Sequence, residues 1–403
     1  MTASTPSAVS LVALAAAGIV IAITYSRRRW LRLTVVAGRR ILPHEITMGA
    51  IWIGPGGGPN GDGDRPDLGH ANAVATVREC LDAGIRDFDT APWYGSGASE
   101  ERLGRALCEL REAGFPPTLD GVRVVTKVGR LVRTSDGQAP TVPFDAPDHP
   151  PLASRCFVNS YTADGARLSF RESAARLGMD KVHGLRVHDP NDNSINRRGA
   201  PGGWVDEVAI ALGGPLDGGC LAELRAMRQD GTIAEVSLGM NCNQEAHQGV
   251  PDEILRLVSN APAGTFDAAL LAGGWNLLSQ AGQACFEECE RRGIGVHVAG
   301  VFASGLLVGG DTYAYQRAPP AKRELAAGWA ALAAEHGLSL PAVAIAFAAL
   351  PSCVTRILLG MANPQQVRQN LQWVHEAGTV PPQLWHEARR RGLLEPSVPI
   401  PAV

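Results

Sequence analysis

After Arg40 the chain alternates between short apolar runs and longer stretches of helical period, and it does so eight times. Residues 46–53 read as the first strand and 72–83 as the helix after it, with Gly84 as breaker. A short strand over 85–88 precedes a helix over 99–113, with Ser99 as its N-cap and Gly114 at its end. The pattern continues with strand 122–126 and helix 163–177, strand 182–187 and helix 221–229, strand 233–238 and helix 251–258. Strand 266–271 precedes helix 282–292, strand 294–299 precedes helices 322–336 and 341–350, and strand 355–359 precedes helix 364–376. Strands alternating with helices imply a parallel sheet covered by helices. Eight such units over roughly 330 residues predict an α/β fold of the (β/α)8 TIM-barrel type. A doubly wound open sheet is the alternative that alternation alone leaves standing.

Three regions follow: 1–40, a hydrophobic helix outside the barrel; 41–380, the barrel; and 381–403, a C-terminal tail. Two long loops interrupt the barrel pattern, 54–69 after the first strand and 129–159 after the third. Both follow strand C-termini, where barrel active sites are built. The glycine run at 56–61 satisfies G-x-G-x-x-G, but Pro59 and the Gly-Asp repeats beyond it open no helix. It reads as a loop, not as a dinucleotide-binding turn.

The N-terminus differs in kind. No side chain is charged from Met1 to Ser26, residues 8–25 are almost wholly apolar, and Arg27, Arg28 and Arg29 follow at once. An apolar run of about 17–20 residues is long enough to span a bilayer. Arginines on its C-terminal flank would hold that side in the cytosol. We read a membrane anchor with a cytosolic catalytic body; a transit peptide, and so an organelle-targeted or plain cytoplasmic protein, is the rival.

Composition excludes several classes. A net charge of −3 without a basic cluster gives no footprint for nucleic acid. The eight cysteines include no Cys-x-x-Cys pair, so neither a disulfide framework nor a metal site is expected. The oligomeric state leaves no signature in the sequence.

Polar groups terminate strand after strand. Asp89 follows the second strand, Lys127 the third, His188 the fourth and Asn241 the fifth, while Tyr94 lies five residues beyond Asp89. Singly, each is an ordinary turn or rim residue. Together they support proton transfer: an ammonium lowers the pKa of a phenol from about 10, a carboxylate holds the ammonium, and an imidazole N–H polarises the substrate oxygen. Such a phenol exchanges a proton with an alcohol or carbonyl while hydride moves to or from a cofactor.

The segment DFDTAPWYGSGASEERLGRAL (87–107), followed in order by VVTKVGR (124–130) and LRVHDP (185–190), resembles the aldo-keto reductase superfamily. The resemblance implies that Asp89, Tyr94, Lys127 and His188 are the catalytic tetrad. VSLGMN (236–241), LLAGGWNLLSQ (270–280) and AGVFASGLL (299–307) resemble the aldose 1-dehydrogenase and fucose dehydrogenase branch, and LLGMANPQQVRQN (358–370) also resembles the plant L-galactose dehydrogenases. What this implies is oxidation of an aldose at its anomeric carbon to a lactone, with Tyr94 as base. It also implies a nicotinamide cofactor held by Asn241, Phe302, Ser304, Gly305, Leu306, Gly360, Gln366 and Asn370.

Two positions depart from the family pattern: Ala303 stands where an asparagine is common, and Ala299 where many relatives stack an aromatic on the nicotinamide. Trp52, Trp93 and Trp275 are the expected aromatic lining for a sugar. NADP carries a 2′-phosphate normally gripped by Arg or Lys. The corresponding stretch here, Gly360 to Asn363 with Gln366, holds no cation, so NAD is expected over NADP. The rivals are an aldehyde, ketone or pyridoxal-type reductase, a membrane-tethered cofactor-sensing subunit without turnover, and a barrel glycosidase. The last lacks a carboxylate pair, since Asp89 is engaged by Lys127.

Overall fold

The computed structural model describes residues 33–403 except 37, 56–65, 116–120, 142–143, 147–154, 191–206, 214–218 and 243–249. The apolar segment 8–25 and the glycine run 56–61 therefore lie outside the described residues. Among the described residues no single helix is long and apolar enough to cross a membrane.

Eight parallel strands close a barrel: β1 (Ile46–Gly49), β2 (Asp87–Asp89), β3 (Arg123–Val128), β6 (Gly184–His188), β7 (Glu235–Asn241), β8 (Ala268–Ala272), β9 (Gly295–Ala299) and β12 (Val354–Gly360). Closure through the β1–β12 and β1–β2 pairs excludes the open sheet. Strand β1 is shorter than expected because both neighbours end at its level: Gly49 pairs with Asp89 on one side and Gly360 on the other. The chain then turns through a 3-10 segment, Ala50–Ile53, and delivers Trp52 to the barrel mouth.

Helices α1 (Gly69–Asp82), α2 (Ala98–Glu112), α3 (Ala163–Leu177), α4 (Glu207–Leu212), α5 (Gly219–Gln229), α6 (Val250–Asn260) and α7 (Gln283–Arg292) follow successive strands. After β9 come α8 (Pro320–Glu335) and α9 (Leu340–Ala348), and after β12 come α10 (Pro364–Ala377) and α11 (Pro382–Arg390). The N-cap of α2 is Gly97, not Ser99. The Ser99 hydroxyl donates to the carbonyl of Ala50 at 2.7 Å and lies 2.9 Å from the hydroxyl of Thr90, and so ties the β1 turn to α2.

Both ends of the barrel region extend past the expected limits. Leu33 is buried, and the amide of Val36 donates to Leu350 O at 2.8 Å. Residues 381–403 are not a loose tail: Leu384 and Trp385 of α11 are buried, with the Trp385 ring 6.4 Å from Trp329 and 5.8 Å from Phe347.

The described parts of the long loops make defined contacts. The insertion after β3 opens and closes as an antiparallel ribbon, β4 (Arg130–Arg133) against β5 (Cys156–Asn159). A second ribbon, β10 (Thr312–Tyr313) and β11 (Gln316–Arg317), follows β9. Arg102 of α2, its side chain 2% exposed, joins the loops after β1 and β3: it donates to Ile53 O, to both oxygens of Asp67 and to Asp145.

Candidate active site

Alternation along each strand sends every second side chain into the barrel. In β2, β3 and β6 these include Asp89, Lys127, Arg186 and His188, all at or next to the strand C-termini. Asp89, Lys127 and His188 line the floor of a cavity of about 750 Å³, and Arg186 lies behind Asp89.

Lys127 Nζ donates to Asp89 Oδ1 at 2.5 Å and to Thr90 O at 2.8 Å, with its side chain 1% exposed. The ammonium also lies 4.5 Å from the centroid of the Tyr94 ring. The His188 ring meets Tyr94 edge-on, centroids 6.0 Å apart. Its backbone carbonyl is fixed by the hydroxyl of Tyr161 at 2.5 Å. That tyrosine reaches the site because Gly129 has φ +106°; a Cβ there would lie 2.1 Å from the Tyr161 ring. The structure therefore brings Asp89, Tyr94, Lys127 and His188 together.

Its electrostatics differ from expectation in one respect. Burial, reinforced by the negative charges of Asp89 and Asp189, holds the Tyr94 phenol well above 10, and the nearby cations Arg186 and Arg130 only partly oppose this. The ammonium of Lys127 is itself engaged by Asp89 and does not offset the burial of the phenol. Burial likewise pushes Lys127 below its ordinary value against the pull of Asp89. Burial, with Arg130 and Lys127 nearby, holds His188 well below 6.5, so its imidazole is neutral at physiological pH. Its Nδ1 is buried without a hydrogen-bond partner among the described residues. The resting set is thus a protonated phenol beside a neutral imidazole, suited to hydrogen-bond and then protonate a carbonyl oxygen.

Around this floor the cavity is lined by Trp52, Trp93, Asn241, Phe302, Ser304, Gly305, Gly360, Gln366 and Asn370, as expected. Two expected residues are not there. Trp275 is fully buried away from the cavity, stacked on Phe347 at 5.0 Å with its Nε1 donating to Phe347 O at 3.2 Å; the apolar run around it faces the helix layer. The Leu306 side chain turns into the core beside the left-handed Ser304 and Gly305.

The structure adds residues that the sequence did not single out. Arg130 stacks on Trp93 at 4.8 Å and donates to Asp189 O at 3.2 Å. Asp189, at φ +41°, accepts from the backbone and side-chain amides of Asn241 at 2.7 and 3.2 Å and so orients that side chain. Tyr315, at the tip of the β10–β11 ribbon, donates its hydroxyl to Asn241 Oδ1 at 3.0 Å across the mouth. Trp373 completes an aromatic wall, its ring 5.6 Å from Phe302. Arg130 and Asp189 lie within the segments 124–130 and 185–190 but act through partners outside them, and Tyr315 and Trp373 lie where no local pattern announces their contacts.

The arm of the cavity between β12 and α10 has the donor set for a nucleotide. Gly360 lies flat against Trp52, where a Cβ would come 2.6 Å from the indole nitrogen. Asn370 Nδ2 reaches back to Gly360 O at 3.2 Å, and Gln366 Oε1 accepts from Ala362 N at 2.7 Å. Arg368 points away and pairs with Glu79 at 2.7 Å. Among the described residues there is no cluster of His, Cys, Asp and Glu that would hold a metal.

Residues 53–380 match the model of the aldo/keto reductase family. The chain is 31% identical to a pyridoxal 4-dehydrogenase of Microbacterium luteolum over 87% of this chain and 95% of that one. It is 30% identical to a D-threo-aldose 1-dehydrogenase of a Pseudomonas species over 81% and 90%. Among solved structures, the glycerol dehydrogenase of Gluconobacter oxydans superposes with a TM-score of 0.57 at 20% identity, covering 92% of this chain and 97% of that one, which shows the shared fold.

Proposed function

The chain belongs to the aldo/keto reductase family and is an NAD(P)-dependent oxidoreductase; from this premise we propose that it oxidises a cyclic hemiacetal, most simply an aldose at its anomeric carbon, to the lactone. One observation carries the reading: Tyr94, Lys127, Asp89 and His188 converge on the floor of a cavity whose walls include Trp52 and Trp93. Indole faces suit the apolar faces of a sugar ring, and Trp93 Nε1 is buried without a hydrogen-bond partner among the described residues, a donor for a ring substituent. One relative is named for an aldose and another for pyridoxal. Both molecules carry an aldehyde that closes on a hydroxyl of its own to give a hemiacetal carbon.

Asn241, Ser304, Gly305, Gly360, Gln366 and Asn370 would hold the nicotinamide nucleotide, which when bound accepts hydride from the hemiacetal carbon. His188 positions the substrate hydroxyl through its ring. In its phenolate form Tyr94 takes the hydroxyl proton and becomes the neutral phenol, and the Lys127 ammonium, held in place by Asp89, stabilises the phenolate that precedes that transfer. In the reverse direction the same protonated phenol gives its proton to a carbonyl. The absence of a cation among Gly360, Met361, Ala362, Asn363 and Gln366, with Arg368 turned to Glu79, supports NAD over NADP.

The test is NAD and NADP reduction by the purified protein against L-fucose, L-galactose, D-arabinose, pyridoxal and a simple aldehyde. Turnover of a sugar or pyridoxal with kcat/KM at least tenfold higher for NAD is expected. Full activity of Tyr94→Phe would refute the assignment, and no turnover at all would favour a cofactor-sensing subunit. Membrane tethering through residues 8–25 rests on the sequence, and fractionation of the full chain against residues 33–403 tests it.

A further inference from the structure

We infer that Arg186 is a fifth working member of the site, a positioning residue that sets the charge around Tyr94 by sharing Asp89 with Lys127. Arg186 lies two residues before His188 on β6 and so points into the barrel beneath it. Its guanidinium is 1% exposed and makes three hydrogen bonds: Nε to Asp89 Oδ2 at 2.9 Å, Nη1 to Ser237 Oγ at 2.9 Å and Nη2 with His297 Nδ1 at 2.8 Å. Lys127 holds the other oxygen of the same carboxylate at 2.5 Å. Asp89 thus serves both cations at once, one oxygen to each, and the charge of Arg186, shared also with Glu235 at 3.4 Å, acts on the phenol from beneath.

Barrel interiors of this class are ordinarily layers of branched apolar side chains. Burying an ion pair there contributes little net stability, and often less than apolar packing would. Stability alone therefore does not account for an arginine in this layer. Room is made for it: a Cβ on Gly239 would come 3.2 Å from Lys127 Cε and 3.3 Å from Arg186 Cδ. A larger residue in β7 would press on both cations at once.

The groups facing Tyr94 are Asp89 from β2, Lys127 from β3, Arg130 from β4, and His188 and Asp189 at the end of β6. Facing Arg186 from below are Glu235 of β7, 3.4 Å away, and His297 of β9. One layer further down lie Asp87, Arg123 and Arg356 in an ion cluster of their own. Burial and the charge of Arg186 hold His297 well below its usual range, so this ring accepts a hydrogen bond and adds no charge. Glu235 is the anion in direct contact that competes with Asp89 for Arg186.

The inference rests on Tyr94 being the proton-transfer residue. The test is the pH dependence of kcat for NAD reduction by the full-length protein with the fastest substrate of the panel above, with NADH binding followed by fluorescence as a second readout. In Arg186→Met the rising limb of kcat should move to higher pH by about one unit, with NADH affinity within twofold of wild type. Arg186→Lys, which keeps the charge, should return the limb toward wild type. Glu235→Gln should move it the other way, because Arg186 is then less compensated. A purely architectural arginine predicts a rate loss equal at all pH values. An unmoved limb in folded Arg186→Met, or in Glu235→Gln should Arg186→Met fail to fold, overturns the inference. Those outcomes with Tyr94→Phe inactive leave the proposed function standing, whereas an active Tyr94→Phe removes both.

Discussion

Replacing Asp89 by Asn removes the single anion between two buried cations. The separations are 2.5 Å to Lys127 and 2.9 Å to Arg186, and all three side chains are at most 2% exposed. At an effective dielectric constant of about 20, a unit-charge pair at such a distance attracts by about 6 kcal/mol. Much of that is offset by the cost of dehydrating the ions, so loss of the anion alone is expected to cost about 3–5 kcal/mol. At about 2 °C per kcal/mol for a domain of this size, Tm should fall by about 6–10 °C near neutral pH.

The pH dependence is the sharper part. Burial already depresses Lys127, and Asp89 is the main influence opposing that; without it the folded-state value drops further below the unfolded one. A base depressed by folding weakens the fold fully at pH below its folded value, and the loss is recovered as pH rises to the unfolded value near 10.4. Each unit of added depression is worth about 1.4 kcal/mol over that window. The Tm gap between wild type and Asp89→Asn should therefore be widest at pH 6 and narrow steadily toward pH 10. Thermal unfolding by circular dichroism at half-unit pH steps reads this directly. A gap that is constant across the window, or below 2 °C throughout, would show that the carboxylate is not compensating the ammonium.

Other expectations follow from the same geometry. Because burial holds the Tyr94 phenol high, dehydrogenase kcat should rise with pH between 7 and 10, by roughly tenfold per unit at most, while carbonyl reduction stays flat there. Trp275→Ala should cost about 3–5 kcal/mol of stability and leave sugar KM unchanged, whereas Trp93→Ala should raise KM with a smaller loss of stability; urea titration and steady-state kinetics separate the two. Tyr161→Phe removes the bond to His188 O and should cost about 1 kcal/mol with a several-fold lower kcat. Tyr315→Phe frees Asn241 Oδ1 and should change KM for the dinucleotide more than KM for the sugar.

The barrel was legible because short, largely apolar strands alternate with stretches that keep a helical period; the expected ranges lie within a few residues of those observed. The convergence of Asp89, Lys127 and His188 was legible because they lie at or next to strand ends, and parallel strands of one barrel end on one face, with Tyr94 in the turn five residues beyond Asp89. What escaped is set by tertiary contact. Ser99 has the residue type of an N-cap but bonds across to Ala50 and Thr90, and the helix starts earlier at a left-handed Gly97. Trp275 sits in a loop after β8 much as Trp52 sits after β1, and nothing local says that one turns to the helix layer and the other to the cavity. Arg186 is a charged residue inside an apolar strand, whose role is visible only once Asp89, Ser237 and His297 are seen around it. The state of Tyr94 also depends on burial, which overrode the simple expectation from its lysine neighbour.

The Arg102 clamp bears on how this enzyme can diversify. Loops at a barrel mouth are usually exchangeable one at a time, and each exchange samples a new substrate. Here Asp67 of the first loop and Asp145 of the second neutralise the same buried guanidinium. Deleting either loop alone strips a counter-ion from Arg102 and unsettles the loop that remains. The two are therefore coupled through one side chain, and a graft that transplants this mouth to another barrel should carry both loops together with the arginine.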